Sequence, residues 1–310
     1  MPFSGCKPVA LIALCTVGLA SAQQPLMPAS PQNSLRSRQP APRANMRTDM
    51  NMVLIPLTVT DSKDQPVMDL APNSFRVFED NVEQKITSFS REDGPVSVGF
   101  IFDTSSSMKG RMEPSIAGIQ QFLKTLMPSD EYFLVRFNDR PNLVQNFTQN
   151  PDDILSTLSV GQPDGWTALY DAVCLGLHRM KSAKNSRRAL FVLSDGGDNN
   201  SRCSESEVRN LAREANVRIY SIGLFERPRF LEKLAADTGG HAVWAHHLKD
   251  LPDSVEKLSR EFRNQYVLTY SSQNENNDGK YRKVRVELLE SIRRIPLYVF
   301  WRRGYFAPQE

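Results

Sequence analysis

A doubly wound, mostly parallel α/β sheet inserted into a small flanking β-sandwich is the fold the sequence predicts. Three observations lead there. Two apolar runs, Val96 to Phe102 and Ala189 to Leu193, read as strands buried on both faces, the mark of a parallel sheet. Around them, further strands alternate with helices that carry one apolar face. Before Val96 and after Gln265 the hydrophobic period returns to two, in segments too small to bury a core alone.

The chain divides accordingly. Residues 1–22 read as a signal peptide, 23–50 as a Pro-rich linker, 51–93 as an N-terminal β segment, 94–265 as the α/β domain, and 266–310 as a C-terminal β segment that pairs with 51–93. At 310 residues and 40% apolar content the chain is long enough for this and can fill its cores. The formal net charge of +3 is small and the basic residues are spread along the chain, which argues against nucleic acid as a partner. Arg36, Arg38, Arg43 and Arg47 read as a solvated linker.

Compartment is read from the first residues. Lys7 supplies a positive start, Val9 to Leu19 an apolar stretch of about eleven residues, and Ala20-Ser21-Ala22 a cleavage signal before Gln23. That stretch is too short to span a bilayer. The expectation is a secreted or periplasmic protein cleaved near Ala22, with no transmembrane segment in the mature chain. Ile12-Ala13-Leu14-Cys15 resembles a lipoprotein box, but Leu14 is bulky where a small residue is expected. Cys6 and Cys15 leave with the signal peptide, and Cys174 and Cys203 remain. In an oxidising compartment the two could pair; otherwise Cys174 is a buried helix residue and Cys203 a loop residue.

The elements follow in order. Val53, Ile55, Leu57 and Val59 alternate as in a half-buried strand, and Phe75 to Glu79 and Ile86 to Phe89 are strands joined by a turn at Asp80-Asn81. Pro114 to Met127 is a helix with Ile116, Ile119, Phe122, Leu123 and Leu126 on one face. Tyr132 to Phe137 is a strand, Asn142 to Phe147 an edge strand, and Asp152 to Leu158 a short helix. Thr167 to Lys181 is a helix with Leu169, Val173, Leu177 and Met180 inward. After the second apolar strand, Ser204 with Glu207 forms a capping box that opens a helix to Ala215. Val217 to Ile222 is a strand, Pro228 to Asp237 a helix closed by Gly239-Gly240, and His241 to Trp244 a short strand. Leu251, Val255, Leu258 and Phe262 mark the last helix. Tyr266 to Tyr270, the alternation Val284-Val286-Leu288, and Leu297 to Trp301 are the final strands.

The residues that carry chemistry gather at strand ends. Asp103, Ser105 and Ser107 follow the first apolar strand, and Asp195 follows the second. Ligands bind outside the C-terminal ends of open α/β sheets, where strand order reverses. If the two strands are neighbours, the oxygens of Asp103, Ser105, Ser107, Thr167 and Asp195 converge there. Hydroxyls and carboxylates without His or Cys suit Mg²⁺, with Mn²⁺ or Ca²⁺ as alternatives. Mg²⁺ wants six ligands, so two or three protein oxygens leave an open position. An Asp or Glu presented by a protein partner would complete the shell.

Asp-x-Ser-x-Ser after an apolar strand, Thr167 within Gly165-Trp166-Thr167-Ala168-Leu169-Tyr170-Asp171-Ala172, and Ser194-Asp195-Gly196-Gly197 together resemble a von Willebrand factor A domain, over roughly Pro95 to Phe262. The resemblance implies a six-stranded, mostly parallel sheet with helices on both faces. It implies that Asp103, Ser105, Ser107, Thr167 and Asp195 form a metal-ion-dependent adhesion site. The flanks, with Phe75 to Asp80, Asp278 to Val284 and Arg303 to Pro308, are similar to the acidobacterial type of such proteins. Trp166 stands where many members have a second glycine, which bears on partner choice.

Taken singly, these residues have plainer readings: Asp-x-Ser-x-Ser and Thr167 as helix N-caps, Asp195 as a turn former. His241, His246 and His247 lack zinc spacing, and His178 lies on a helix without a motif. Ser105 and Ser107 lack the Gly-x-Ser-x-Gly elbow of a nucleophile, and no Gly-x-x-x-x-Gly-Lys loop is present. The functional expectation is therefore a metal-dependent protein-binding module and not an enzyme. The alternatives are a metal-dependent hydrolase, which lacks an identifiable base, and a structural envelope protein with a non-functional site.

Overall fold

The structure, a computed structural model, describes residues 51–159, 161–224, 229–289 and 296–309. The signal peptide, the linker and Pro228 lie outside these residues. Strands β1 (Met52–Thr60), β2 (Phe75–Glu79), β3 (Val82–Gln84) and β4 (Ile86–Glu92) come first. The α/β part follows as β5 (Val96–Asp103), α1 (Met112–Leu123), β6 (Glu131–Phe137), β7 (Pro141–Thr148), α2 (Pro151–Leu158), α3 (Leu169–Met180) and β8 (Arg187–Ser194). It continues through α4 (Glu205–Ala215), β9 (Arg218–Leu224), α5 (Arg229–Thr238), β10 (Ala242–Ala245) and α6 (Leu251–Arg263). Strands β11 (Gln265–Ser271), β12 (Tyr281–Leu288), β13 (Tyr298–Trp301) and β14 (Gly304–Phe306) close the chain.

The central sheet has six strands in the order β10-β9-β8-β5-β6-β7, parallel except for β7. From β5 the chain moves outward to β6 and β7, then crosses back to β8 and builds the other half. The order therefore reverses between β5 and β8, which pair directly from Val96↔Arg187 to Phe102↔Leu193. Every residue of β5 is buried, because helices cover both faces of the sheet. Val96, Val98, Phe100 and Phe102 pack with α1 and α6, while Ile101 packs with α3. Phe122 of α1 meets Phe191 of β8 edge-on at 4.3 Å between ring centres.

Strands from both ends of the chain build the sandwich. One sheet runs β13-β1-β11-β4 and the other β14-β12-β2-β3. Val53, Ile55, Leu57 and Val59 turn inward from β1 against Tyr266, Leu268, Val284 and Val286. The sequence joined Phe75–Glu79 to Ile86–Phe89 through Asp80-Asn81, and here the structure differs. Both turn residues adopt positive φ (46° and 71°), giving a tight hairpin into β3, and β4 crosses to the other sheet. Strands β3 and β14 span three residues each, too short for period two to show.

Buried Arg187 knits the two crossings between sandwich and α/β part. Its guanidinium donates to the carbonyl of Gly94 (2.8 Å) on the way in and to that of Phe262 (3.0 Å) on the way out, and it lies 3.4 Å from the Glu92 carboxylate. Burial lowers the pKa of this guanidinium. At the far side Gly239, with φ of +79°, lets the end of α5 press against the backbone of Trp301 and Arg302.

Candidate metal centre

Strand β5 delivers Asp103 to the reversal point, fully buried at the sheet's C-terminal edge. One carboxylate oxygen accepts the Ser105 N–H (2.8 Å) and the other the Ser194 hydroxyl (2.5 Å). Desolvation raises the Asp103 pKa, and nearby Asp195 adds to it against the hydrogen bonds from Ser105 and Ser194. A carboxylate in that situation is stabilised by a nearby cation.

The chain then makes a short 3-10 turn, Ser106–Met108. Neither Ser105 nor the residue before α1 makes a side-chain cap, so the plain reading of Asp-x-Ser-x-Ser as a helix cap is not what the structure shows. The hydroxyls turn to one another and across the sheet instead. Ser105 Oγ lies 3.1 Å from Ser107 Oγ, and Ser107 Oγ donates to Asp195 Oδ1 at 2.8 Å. Asp195 is brought there by β8, the parallel neighbour of β5.

Thr167 sits on a separate loop beside this edge, and its hydroxyl makes no bond to Asp103, Ser105, Ser107 or Asp195. Its helix is capped at Ala168 without a side-chain bond, so the Thr167 hydroxyl is not the cap of α3. The loop is tied on two sides: Asp164 N–H donates to Thr104 O (3.0 Å), and Ser106 N–H to Gly165 O (3.1 Å). Gly165 holds φ of +80° against the Asp139 carboxylate, whose oxygen accepts the Trp166 N–H at 2.7 Å. The Trp166 ring is thereby left 64% exposed at the rim.

Sequence reasoning missed the loop after β8 as a support. Asn199 accepts the Thr167 N–H (2.7 Å), Asp198 the Tyr170 N–H (3.2 Å) and Ser201 the Asp171 N–H (3.0 Å). Three side chains from a distant loop thus satisfy N–H groups at the start of α3. Asp171 returns the bonds, accepting from the N–H groups of Arg202 (3.1 Å) and Cys203 (2.8 Å). No local spacing betrays such caps, because they come from about thirty residues away. Ser194 was visible beside Asp195 in the sequence; Arg111, whose guanidinium forms an ion pair with the other Asp195 oxygen, was not.

The donor set fits a hard cation: two carboxylates and hydroxyls, with no sulfur or imidazole. Among the described residues no group of three His, Cys, Asp or Glu gathers, here or elsewhere, so a cation at this edge would rest on two carboxylates and hydroxyls. The Arg111 guanidinium on Asp195 shows that this edge already draws positive charge.

Residues 98–197 match the sequence model of the von Willebrand factor type A domain. The chain carries a von Willebrand factor A domain. A solved von Willebrand factor type A protein from Catenulispora acidiphila shares the fold at a TM-score of 0.50 and 10% identity, over 84% of this chain and 74% of that one. Inter-alpha-trypsin inhibitor heavy chain H4 from Homo sapiens is 28% identical over 188 residues, covering 55% of this chain and 20% of its own length. An uncharacterized protein of Borreliella burgdorferi is 28% identical over 127 residues, covering 40% of this chain and 37% of its own. The chain thus spans about a fifth of the length of the heavy chains it matches. The von Willebrand factor A sheet is the β5–β10 sheet, and its C-terminal edge is the edge that holds Asp103 and Asp195. Among the described residues no helix is long and apolar enough to cross a membrane.

Proposed function

We propose that this von Willebrand factor A domain is a metal-ion-dependent protein-binding module of adhesion or scaffold type. Asp103, Ser105, Ser107, Thr167 and Asp195 would hold Mg²⁺, with Mn²⁺ or Ca²⁺ as substitutes. An Asp or Glu of a protein partner would complete the shell. The observation that supports this most is the chain of contacts Ser105–Ser107–Asp195, which joins two sheet loops through oxygens alone. A bound divalent cation supplies an electrophilic point at which a partner carboxylate docks. This chain's residues supply the rest: buried Asp103 is oriented by Ser105 and Ser194, and the tied loop of Thr167 fixes the third side.

On this reading the protein works outside the cytoplasm, after cleavage near Ala22. The test is calorimetry with Mg²⁺, followed by capture of partners from envelope extract with Mg²⁺ or with EDTA. Binding of Mg²⁺ that is lost in Asp103→Ala, with an EDTA-sensitive partner, is the expected result. Equal capture under both conditions sinks the metal mechanism.

A further inference from the structure

We propose that Cys174 and Cys203 form a disulfide that staples the loop following β8 to helix α3, and that this staple holds the Asp195 side of the cation site in register. The first half stands on its own. The second rests on the metal-site reading above.

The two residues are the end of a zipper. Asn199, Asp198 and Ser201 accept N–H groups from the start of α3, and Asp171 accepts those of Arg202 and Cys203. Cys174 lies one helical turn beyond Asp171, on the same face of α3. The backbone of Cys203, fixed at 2.8 Å on Asp171, is therefore laid against the turn that carries Cys174. Cys203 packs on the same apolar cluster that contains buried Cys174. Each thiol shifts the other's pKa, as neighbouring groups do. Both are free thiols as described.

Burial, then Cys203 and Asp171, push the Cys174 thiol up to about 12, so it is a poor nucleophile at neutral pH. Burial also raises Cys203, and Asp171 adds to it. The pair therefore needs a disulfide donor, such as glutathione disulfide or a thiol–disulfide oxidoreductase. Cys203, the more accessible, loses its proton and attacks one donor sulfur, releasing the first donor thiol and leaving a mixed disulfide. Cys174 then loses its proton, attacks the Cys203 sulfur and releases the second donor thiol. The pair gives up two electrons and two protons, and the donor disulfide becomes two thiols.

The consequence for the site follows from what the loop carries. Asp195 begins it, and Asn199 on it accepts the Thr167 N–H. A cross-link at Cys203 removes freedom from this loop, which is otherwise held by hydrogen bonds and by the packing of Cys203.

The test uses the chain from Gln23 onward, which holds only Cys174 and Cys203, purified reduced and incubated with glutathione disulfide. Mass spectrometry is expected to show loss of two hydrogens, a peptide joining Cys174 to Cys203, and a rise in Tm of roughly 5–15 °C over the reduced form. A stable glutathione adduct at Cys203, or two unchanged thiols after unfolding in the oxidant, overturns the disulfide. Cys174→Ser, which must hold the adduct at Cys203, confirms the order of attack; an unmodified Cys203 overturns it. Mg²⁺ calorimetry then reads the coupling, with affinity expected to fall roughly fivefold or more on reduction. Equal affinity in both forms overturns the coupling alone, and Mg²⁺ binding in neither form overturns the metal reading while leaving the mass result standing.

Discussion

Ser107 Oγ lies 2.8 Å from Asp195 Oδ1, although 88 positions separate the two residues in the chain. The contact exists because β5 and β8 are parallel neighbours that end together at the edge where strand order reverses. The loops that leave these strands are forced to meet there.

The first prediction concerns that contact. Asp195→Asn keeps the shape and an acceptor for the Ser107 hydroxyl but removes a charge. Mg²⁺ affinity by calorimetry is expected to drop at least about tenfold, the equivalent of 1.4 kcal/mol. The fold, followed by far-ultraviolet circular dichroism in EDTA, should not change. Retained affinity excludes Asp195 from the metal shell.

Arg111 gives a prediction of opposite sign. Its partly buried guanidinium neutralises part of the Asp195 charge and competes with any cation at that oxygen. Replacement by Gln removes the competitor, a pair worth at least on the order of 1 kcal/mol because its carboxylate is buried. Mg²⁺ is then expected to bind about fivefold tighter, with the difference shrinking as salt rises. Weaker binding in Arg111→Gln would show that the arginine supports the site.

The sandwich should be sensitive to acid through Glu79. Burial pushes this carboxyl up, but bonds from Ser272 (2.6 Å), Tyr305 (2.8 Å) and Tyr270 (2.8 Å), with the Arg282 guanidinium, hold it below its ordinary 4.5. A depressed acid stabilises the fold above its unfolded value and loses that contribution as pH falls through the folded one. Stability is therefore expected to decline progressively below about pH 4.5. Glu79→Gln removes the buried carboxylate from Arg282, which keeps only the more distant Asp278 at 3.9 Å, and should cost about 2–3 kcal/mol at pH 7 in urea unfolding. A neutral effect would mean that Asp278 alone compensates Arg282.

Docking of the sandwich on the α/β part can be tested at Gly239. A Cβ there would lie 2.3 Å from the Arg302 backbone nitrogen, and φ is +79°. Gly239→Ala is expected to cost more than about 2 kcal/mol, as a residue with a side chain in a strained backbone against rigid neighbours. Gly94→Ala, with open space around the added carbon, is the control that should stay within about 0.5 kcal/mol.

The placement of the candidate residues was largely legible beforehand because they lie at predictable ends. Asp103 and Asp195 each follow a run of buried apolar residues, and Thr167 precedes a helix with a clear apolar stripe. What was not legible was each residue's partner. Asp-x-Ser-x-Ser reads equally as a helix cap, and only the direction of the Ser107 hydroxyl toward Asp195 separates the two readings. Arg111 and Asn199 gave no signal, since a polar residue in a loop looks the same whether it faces solvent or a helix end.

The sequence by itself determined the alternation of strands and helices, the two period-two flanks, and the oxygen-rich residue types at the strand ends. Hydrophobic periodicity is a local property, so it survives reading one segment at a time. The order of strands, the hairpin at Asp80-Asn81, the knot of Arg187 between Gly94 and Phe262, and the meeting of Ser107 with Asp195 were decided only by tertiary structure. These depend on which segments share a boundary once the apolar faces are buried, and that choice belongs to the whole chain.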